Sequence, residues 1–381
     1  MASIRLIHIA PELPPTVGGV ADYTAILSRR LVEVSEGTVE PVLVHAGNQP
    51  TDAIEVDFPS VDLSGQCSAS ALAETVEQLA QEAEELAVAL LQYSGYGYAQ
   101  RGAPLWLARG LRRVCGPDGV PLITMFHEIS ASNWKPWTST FWLSPLQSWV
   151  ARQFVQCSAG GMTTHPSGAE ELGRFAGKRT PVEVCPVFSN VGEPDERPTF
   201  DDRSPKAVIF GGRRTKTALY DTHRDTTQAA LDRWSIDTVI DVGPSDAATP
   251  DAMGVKGDVR GLQPADAISD LLLDARIGLL HYPAAYATKS GILAAYMAHG
   301  VVPVLIAPEP LGGQLEAGTH FVTSAESSDD AELKVGNRIG RTAADWYDRH
   351  AHSRNAAVTT LSLIERATDT TLLASSTPSG R

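Results

Sequence analysis

The stretch at residues 275–307, ARIGLLHYPAAYATKSGILAAYMAHGVVPVLIA, predicts a strand, a polar loop, a short helix and a second strand. Residues 277–280 and 301–306 are apolar runs without alternation, which suits strands that are buried on both faces of a parallel sheet. Between them, apolar residues recur at helical spacing over 292–299. This order is that of a βαβ unit, so the stretch predicts an α/β fold.

The start of this predicted helix has the features of a phosphate-binding site. Ser290 stands at the N-cap position, and Gly300 ends the helix. A helix start presents unpaired N–H groups and partial positive charge, Gly291 lets a ligand approach the backbone, and Lys289 adds a cation. The alternative is that Ser290 only caps the helix and that Lys289 is a solvated loop lysine; this segment alone leaves both readings open.

Length and composition limit the classes of protein to consider. The chain has 381 residues, of which 43% are hydrophobic and 20% charged, so we expect a soluble globular protein with two domains. A net charge of -14 repels a nucleic-acid backbone, and no nucleic-acid partner is expected. No apolar run approaches the roughly 18 residues of a membrane span, and we expect a cytoplasmic protein. The four cysteines show no C-x-x-C spacing, which favours buried reduced thiols.

The N-terminal half begins with a strand, a glycine loop and a helix. An apolar strand at 4–9 leads into a loop that ends in Gly18 and Gly19, and a periodic segment follows over 20–32. These glycines would let the backbone come close to a ligand at the helix start. The alternative is an ordinary turn.

Two further strand ends carry candidate functional side chains. A predicted strand at 87–93 runs into a glycine-rich aromatic loop that contains Tyr96, and a strand at 121–126 ends in His127 and Glu128. Open α/β sheets bind ligands at the carboxyl ends of their strands. We therefore take His127 as the candidate functional histidine, with Tyr96 and Glu128 as candidate acceptor-binding residues. The alternatives are loop packing and a structural histidine.

Residues 130–149 are unusually rich in aromatic residues. They contain Trp134, Trp137, Trp142 and Trp149 among prolines and serines. Such a segment suits acceptor binding, a packed lid or weak contact with a membrane surface.

A polar, proline-rich segment predicts the domain boundary. We place an N-terminal domain at 1–190, a linker at 191–205, a C-terminal domain at 206–341, further helices at 342–374 and a loose tail at 375–381. The strand that opens the C-terminal domain leads into two glycines and three cations, among them Arg213 and Lys216. This pattern favours a polyphosphate ligand, and the alternative is a solvated basic loop.

Several of these motifs together resemble the GT-B glycosyltransferases, particularly the retaining nucleotide-sugar enzymes of family 4. The resemblance spans nearly the whole chain. Its motifs are the glycine loop at 15–20, the strand end Phe126-His127-Glu128, the strand at 182–187, the cations Arg213 and Lys216 after Gly212, Val259-Arg260-Gly261-Leu262, Met297-Ala298-His299-Gly300, and Gly312-Gly313-x-x-Glu316.

The resemblance implies two Rossmann-like domains that face across a cleft, with C-terminal helices that pack back on the N-terminal domain. It implies transfer of a sugar from a nucleoside diphosphate sugar to a glycan, lipid-linked or small-molecule acceptor, with no metal or other cofactor. His127 would be the catalytic residue. The donor would be bound by Gly18, Gly19, Arg213, Lys216, Gly261 and Glu316. From their place at the predicted helix start, and not from the resemblance, we add Lys289, Ser290 and Gly291 as donor-binding residues.

One departure from the family matters for function. Its members carry Glu-x(7)-Glu across the donor-site helix, where this chain has Ala287 and Ala295. We hypothesise that Lys289 and Ser290 supply diphosphate contacts instead. The alternatives are a non-catalytic binding or assembly protein with the same fold, or another GT-B enzyme such as an epimerase or phosphorylase. Contact with a membrane surface stays open, as does the oligomeric state.

Overall fold

A computed structural model describes residues 3–373 except 17, 52, 117, 131–138, 177–179, 245–249, 251–253, 307–312 and 324–331. The chain divides into two compact units, one formed by residues up to Cys185 together with those from Ser353 onward, the other by Pro186–His352. The boundary thus precedes the predicted linker at 191–205, which belongs to the second unit. The predicted tail at 375–381 lies outside the described residues.

The described chain alternates strands and helices along most of its length. In order, its elements are β1 (Ile4–Ala10), α1 (Gly19–Val34), β2 (Val39–His45), β3 (Ser60–Asp62), α2 (Ala69–Gln81), β4 (Leu86–Tyr93), α3 (Gly95–Tyr98), α4 (Leu105–Val114), β5 (Leu122–Phe126), α5 (Ser139–Cys157), β6 (Gly160–Thr163), α6 (Pro166–Ala176), β7 (Val182–Val184), β8 (Ser204–Phe210), α7 (Arg213–Thr217), α8 (Arg224–Arg233), β9 (Thr238–Val242), β10 (Lys256–Gly261), α9 (Ala265–Asp274), β11 (Ala275–Leu280), α10 (Gly291–Ala298), β12 (Val302–Leu305), β13 (Val322–Thr323), α11 (Glu332–His350) and α12 (Ser353–Thr368).

The first unit contains a parallel sheet. Within the described residues its seven strands lie in the order β3-β2-β1-β4-β5-β6-β7. The central strands β1, β4 and β5 are almost entirely buried, as their apolar runs predict. The chain therefore starts in the middle of the sheet, builds one side, and returns to build the other.

The second unit repeats this plan. Among the residues described, its sheet has six parallel strands in the order β10-β9-β8-β11-β12-β13, and β11, α10 and β12 form the predicted βαβ unit. α10 packs closely on this sheet because β11 carries Gly278, where an added Cβ would lie 2.5 Å from the ring of Tyr296. The Tyr296 hydroxyl accepts a hydrogen bond from the Phe210 N–H at 3.2 Å and lies 3.1 Å from the carbonyls of Val208 and Leu279. One side chain of α10 thus joins β8 to β11.

The last two helices belong to different units. α11 stays in the second unit, whereas α12 packs against α1 of the first, where Arg30 Nε donates to Ser353 Oγ at 2.8 Å. This confirms the expectation that C-terminal helical structure returns to the N-terminal domain.

One local prediction is corrected, and one helix is found that the sequence analysis did not predict. The polar loop expected before α10 is a 3₁₀ helix over Ala284–Lys289. The tryptophan-rich segment, in its described part, is mostly the helix α5, although Pro145 lies inside it. No helix in the described part of the chain combines the length and the apolar character that crossing a membrane requires.

We predict that Tyr296→Phe weakens the junction between α10 and the sheet. The variant leaves the partly buried Phe210 N–H without its acceptor and the buried carbonyls of Val208 and Leu279 without the hydroxyl, which costs about 1 to 3 kcal/mol of unfolding free energy. Urea unfolding would measure that loss, and amide exchange would show faster exchange at Phe210. Tyr286→Phe, at a tyrosine that is 44% exposed, serves as the control. Unchanged exchange at Phe210 would contradict the assignment.

Candidate functional site

The strand order of each unit fixes where a ligand can approach the sheet. In the first unit the order reverses between β1 and β4, and in the second between β8 and β11. At such a switch point the loops that follow the two strands diverge and leave a crevice at their carboxyl ends. The predicted residues Gly18 and Tyr96 follow β1 and β4, His127 follows the neighbouring β5, Arg213 follows β8, and Lys289 follows β11.

His127 is held by a line of hydrogen bonds that runs into the core of the first unit. Its Nε2 lies 2.7 Å from Gln92 Oε1, and Gln92 Nε2 lies 2.7 Å from His8 Nε2. His8 Nδ1 in turn lies 2.8 Å from Ser28 Oγ, which donates to the carbonyl of Thr24 at 2.9 Å. His8, Gln92 and Ser28 are fully buried. We call these three residues and His127 the histidine relay.

The hydroxyl of Ser28, at the buried end of the relay, determines which group donates and which accepts in each of its hydrogen bonds. Ser28 gives its single proton to a carbonyl, so its oxygen accepts from the Nδ1–H of His8. His8 is neutral, because burial, together with His127 nearby, lowers its pKa to about 3. Its Nε2 therefore accepts from the Gln92 amide, and the Gln92 carbonyl accepts from the Nε2–H of His127. Neutral His127 then carries its lone pair on Nδ1.

Packing against α1 also fixes the ring of His127. Tyr23, in the second turn of α1, meets it edge to face at 4.9 Å between ring centroids. The His127 N–H donates to the carbonyl of Tyr93 at 3.0 Å, which continues the pairing of β5 with β4 beyond the strand end. The side chain is partly exposed, so a rigid imidazole stands at the carboxyl edge of the sheet.

The glycine loop after β1 holds a carboxylate that the sequence analysis did not single out. Gly18 is the N-cap residue of α1, and a Cβ added there would lie 2.3 Å from Glu12 Oε2. Burial raises the pKa of Glu12, and the charge of Asp22 adds to the effect. Gly19 is exposed in the first turn of α1. Glu12 thus lies at the same helix start that was predicted to receive a ligand.

Tyr96 and Glu128 both lie at this edge of the first sheet. Tyr96 is in the short helix α3 and is 42% exposed, and its carbonyl accepts from Asn48 Nδ2 at 3.0 Å. Glu128 is partly buried, and its charge adds to burial in raising the pKa of Tyr93. The first unit therefore presents a tyrosine, a carboxylate and an imidazole after neighbouring strands.

In the second unit, three glycines link the carboxyl ends of three adjacent strands. The Gly211 N–H donates to the carbonyl of Val242 at 3.2 Å, and the Gly243 N–H donates to the carbonyl of Gly261 at 2.7 Å. Gly243 has φ +104°, and a Cβ there would lie 2.5 Å from the Gly211 carbonyl oxygen, so a larger residue would strain and crowd this edge. The predicted Gly261 ends β10 and supports this edge through its carbonyl.

The glycine loop after β8 lies against the start of α10. A Cβ at Gly211 would be 2.9 Å from Ile292 Cδ1, which places this loop beside the first turn of α10. Ser290 caps that turn by accepting from the Leu293 N–H at 3.2 Å. Gly291 follows with partial exposure, and Arg213 is exposed at the start of α7. The structure thus brings together two segments that are about 80 residues apart in the sequence.

Lys216 is a correction to the predicted phosphate-binding set. Its ammonium is buried, pairs with the carboxylate of Asp241 and donates to the carbonyl of Gly243 at 2.9 Å. Asp241 also accepts from the Tyr220 hydroxyl at 2.6 Å. Lys216 therefore joins α7 to the end of β9 from inside the unit.

Other residues of the second unit complete the comparison with the sequence. Glu316 is exposed, and its N–H donates to His320 Nδ1 at 3.0 Å; Gly312 of the same motif lies outside the described residues.

His281 directly follows β11 and stacks on His223 with 4.7 Å between centroids. The sequence analysis missed His281, although it follows a buried strand just as His127 does. Within the described ranges, no cluster of three or more potential metal ligands is found.

The positions of the two missing carboxylates are small and buried. Ala287 lies in the 3₁₀ helix and is 3% exposed, and Ala295 lies inside α10 with no exposed surface. Neither position offers a charged group to a ligand.

Known structures share this architecture over nearly their whole length. Anabaena HepE in complex with UDP-glucose is 13% identical, with a TM-score of 0.56 over 94% of this chain and 99% of that chain. An alpha-glucosyltransferase in complex with UDP and a 13-mer DNA is 9% identical, with a TM-score of 0.55 over 96% of this chain and 100% of that one. WaaG, a glycosyltransferase involved in lipopolysaccharide biosynthesis, is 9% identical, with a TM-score of 0.52 over 94% of this chain and 99% of that one.

The chain has the GT-B fold. This confirms the fold class that the sequence motifs indicated. No family model and no curated protein sequence matches the chain. In GT-B terms, the first unit is the N-terminal Rossmann-like domain, completed by α12, and the second unit is the C-terminal one.

We predict that Gln92→Met breaks the histidine relay. Methionine fills a similar volume but cannot bridge two imidazoles, so His8 Nε2 and His127 Nε2 both lose their partners. We expect a loss of about 1 to 3 kcal/mol in stability. Imidazole ¹⁵N chemical shifts of His127 should show a protonated Nε2 in the unmodified protein and a mixture of tautomers in the variant.

The matched control is Gln147→Met, at another buried glutamine of the same unit whose amide donates to the Arg101 carbonyl. It should leave the His127 shifts unchanged. Identical His127 shifts in Gln92→Met and in the unmodified protein would show that the relay does not set the tautomer.

Proposed function

We propose that this protein is a glycosyltransferase that moves a sugar from a nucleoside diphosphate sugar to an acceptor. The main support is the edge of the second unit, where the loop at Gly211–Arg213 lies beside the N-terminus of α10. Backbone N–H groups, a helix dipole and an arginine together suit a diphosphate. HepE, which has the same fold, has been solved in complex with UDP-glucose.

The second unit binds the donor in this proposal. Arg213, Lys289 and the first N–H groups of α10 contact the diphosphate, and Gly291 lets it come close to the backbone. These groups stabilise the negative charge that develops on the departing diphosphate, and they are held in place before the reaction. The protein's own cations perform this role, so we propose a reaction that needs no metal ion.

The first unit binds the acceptor and supplies His127. Because the relay keeps a proton on Nε2, the lone pair is on Nδ1, and we assign this atom to accept a hydrogen bond from a hydroxyl of the reacting sugar or of the acceptor. Tyr96 provides an aromatic ring on which a sugar can stack. Glu128 provides a carboxylate that can accept hydrogen bonds from sugar hydroxyls. The acceptor is a glycan, a lipid-linked sugar or a small molecule, and retention of anomeric configuration is part of the proposal through the resemblance to family 4.

A second candidate function has its own supporting observation. The buried alanines Ala287 and Ala295 occupy the positions of the family's two glutamates. The protein therefore has no carboxylate at these positions to bind the donor sugar or the ribose. A protein that binds a nucleotide sugar without transferring it would fit these positions. Turnover distinguishes this candidate from a transferase, and product analysis would distinguish an epimerase or a phosphorylase.

We predict that Arg213→Ala and Lys289→Ala each weaken binding of the donor by about 1 to 3 kcal/mol, the contribution of a hydrogen bond to a charged group. A thermal-shift screen of UDP, GDP and their sugar derivatives would first identify the donor, since a ligand that binds only the folded state raises its melting temperature. Calorimetric titration of the variants would then give the affinities.

Lys256→Ala is the control for charge alone, because Lys256 is an exposed lysine at the amino end of β10, the opposite edge of the same sheet. It should bind the donor as the unmodified protein does. Equal affinities for all three variants would remove Arg213 and Lys289 from the donor site.

We also predict that His127→Ala lowers the transfer rate by at least about 100-fold, the scale of one catalytic hydrogen bond, while donor affinity is kept. Nucleoside diphosphate release across a panel of glycan and lipid-linked acceptors, with EDTA present, would measure transfer. NMR of the product would give its anomeric configuration. Donor binding without release on any acceptor would favour the binding protein instead.

A further inference from the structure

The outward face of α5 is apolar where a surface helix is ordinarily polar. Trp142 is 72% exposed, Leu146 38% and Trp149 47%, and Pro145 is exposed beside them. Their spacing of three and four residues places them on one side of the helix. The far side packs into the first unit through Ala151, Phe154 and Val155, which are buried. Two tryptophans and a leucine therefore face solvent together.

The neighbouring helix α4 adds a row of cations. Arg109, Arg112 and Arg113 are all exposed, and Arg112 donates to Gln153 of α5. The two helices line an open depression of about 700 Å³, in which these three arginines lie beside Leu146 and Trp149. We call this surface the α4–α5 face.

The charge of this region opposes that of the whole protein. Residues 99–157 contain six lysines and arginines against two aspartates and glutamates, whereas the complete chain has 31 against 45. A basic surface with exposed tryptophans, on a protein of net charge -14, is complementary to an anionic layer that has an apolar interior. Overall charge would repel such a layer, so any attraction must come from this local cluster.

We propose that the α4–α5 face binds the surface of an anionic phospholipid bilayer. Tryptophan is favoured at the boundary between headgroups and acyl chains, where its ring is buried and its N–H stays near water. The arginines would then lie at the level of the lipid phosphates. Binding is peripheral, with α5 lying along the surface.

Other occupants fit this face less well. A second copy that packs the same face against itself would bring the arginine rows of the two chains together. A nucleic acid would match the arginines and could stack on the tryptophans, but it offers nothing apolar to Leu146 and Pro145. A bilayer satisfies both the cations and the apolar residues.

Vesicle flotation with the full-length protein tests the proposal. We expect binding to vesicles of phosphatidylcholine with 30% phosphatidylglycerol, weak binding to phosphatidylcholine alone, and release in 0.5 M salt. Brominated lipids should quench tryptophan fluorescence on binding. No sugar donor or acceptor is needed, so the result does not depend on the proposed function.

Two variants separate the apolar and charged contributions. Trp142→Ser with Trp149→Ser should reduce partitioning by about tenfold or more and abolish most of the quenching. Arg112→Gln with Arg113→Gln should reduce partitioning to anionic vesicles by about 25-fold, roughly fivefold for each cation near the lipid surface. Melting temperatures and donor affinities should be unchanged, since these side chains lie at the surface.

The matched control is Arg354→Gln with Val358→Ser, an exposed cation and an exposed apolar residue on α12 of the same unit. It should bind vesicles like the unmodified protein. Equal binding of all variants, or no preference for anionic lipid, would overturn the proposal. So would sedimentation equilibrium showing a dimer that the tryptophan variant dissociates, or binding to single-stranded DNA through this face without binding to vesicles.

Discussion

The location of the candidate site follows from the way the chain builds its two parallel sheets. In each sheet the first strand of the unit lies in the middle, and later strands are added on both sides of it. All strands of each sheet end at the same edge, and β1 and β8 each lie between strands that the chain reaches by opposite routes. The loops after them must diverge, which exposes backbone N–H groups and helix starts. Residues from distant parts of the sequence, such as Gly211 and Ile292, meet at that edge for this reason alone.

Close packing and buried hydrogen bonds turn this edge into a defined arrangement of groups. Gly278 lets α10 approach the sheet, and Tyr296 then bonds to the backbone of β8 and β11, so the start of α10 has a fixed position. In the first unit the relay from Ser28 to His127 has the same role for an imidazole. In both units a polar side chain inside the core thus fixes the position of a group at the carboxyl edge of the sheet.

The sequence predicts the strands well and the buried polar contacts poorly. Runs such as 277–280 are apolar throughout and were placed as strands without difficulty, because burial on both faces leaves an unambiguous pattern. His8 and Gln92 are polar residues inside the strands predicted at 4–9 and 87–93, and nothing local indicates that they bond to each other across 84 residues. Lys216 was assigned to phosphate from its neighbours in sequence, whereas Asp241 on the next strand holds it inside. α5 was missed because Pro145 and the tryptophans obscure its period.

The burial of α10 limits which of its groups can act on a donor. Its residues Leu293–Ala298 are all buried, so the helix is part of the core along most of its length, and a carboxylate at Ala295 would need a buried partner. Only the first turn, with Gly291 and Ile292, reaches the surface. The helix can therefore contribute its N–H groups and dipole but no charged side chain beyond its start. In the proposed function, recognition of the donor's ribose therefore falls to other loops of the same edge, of which the one that carries His281, stacked on His223, is the nearest in sequence.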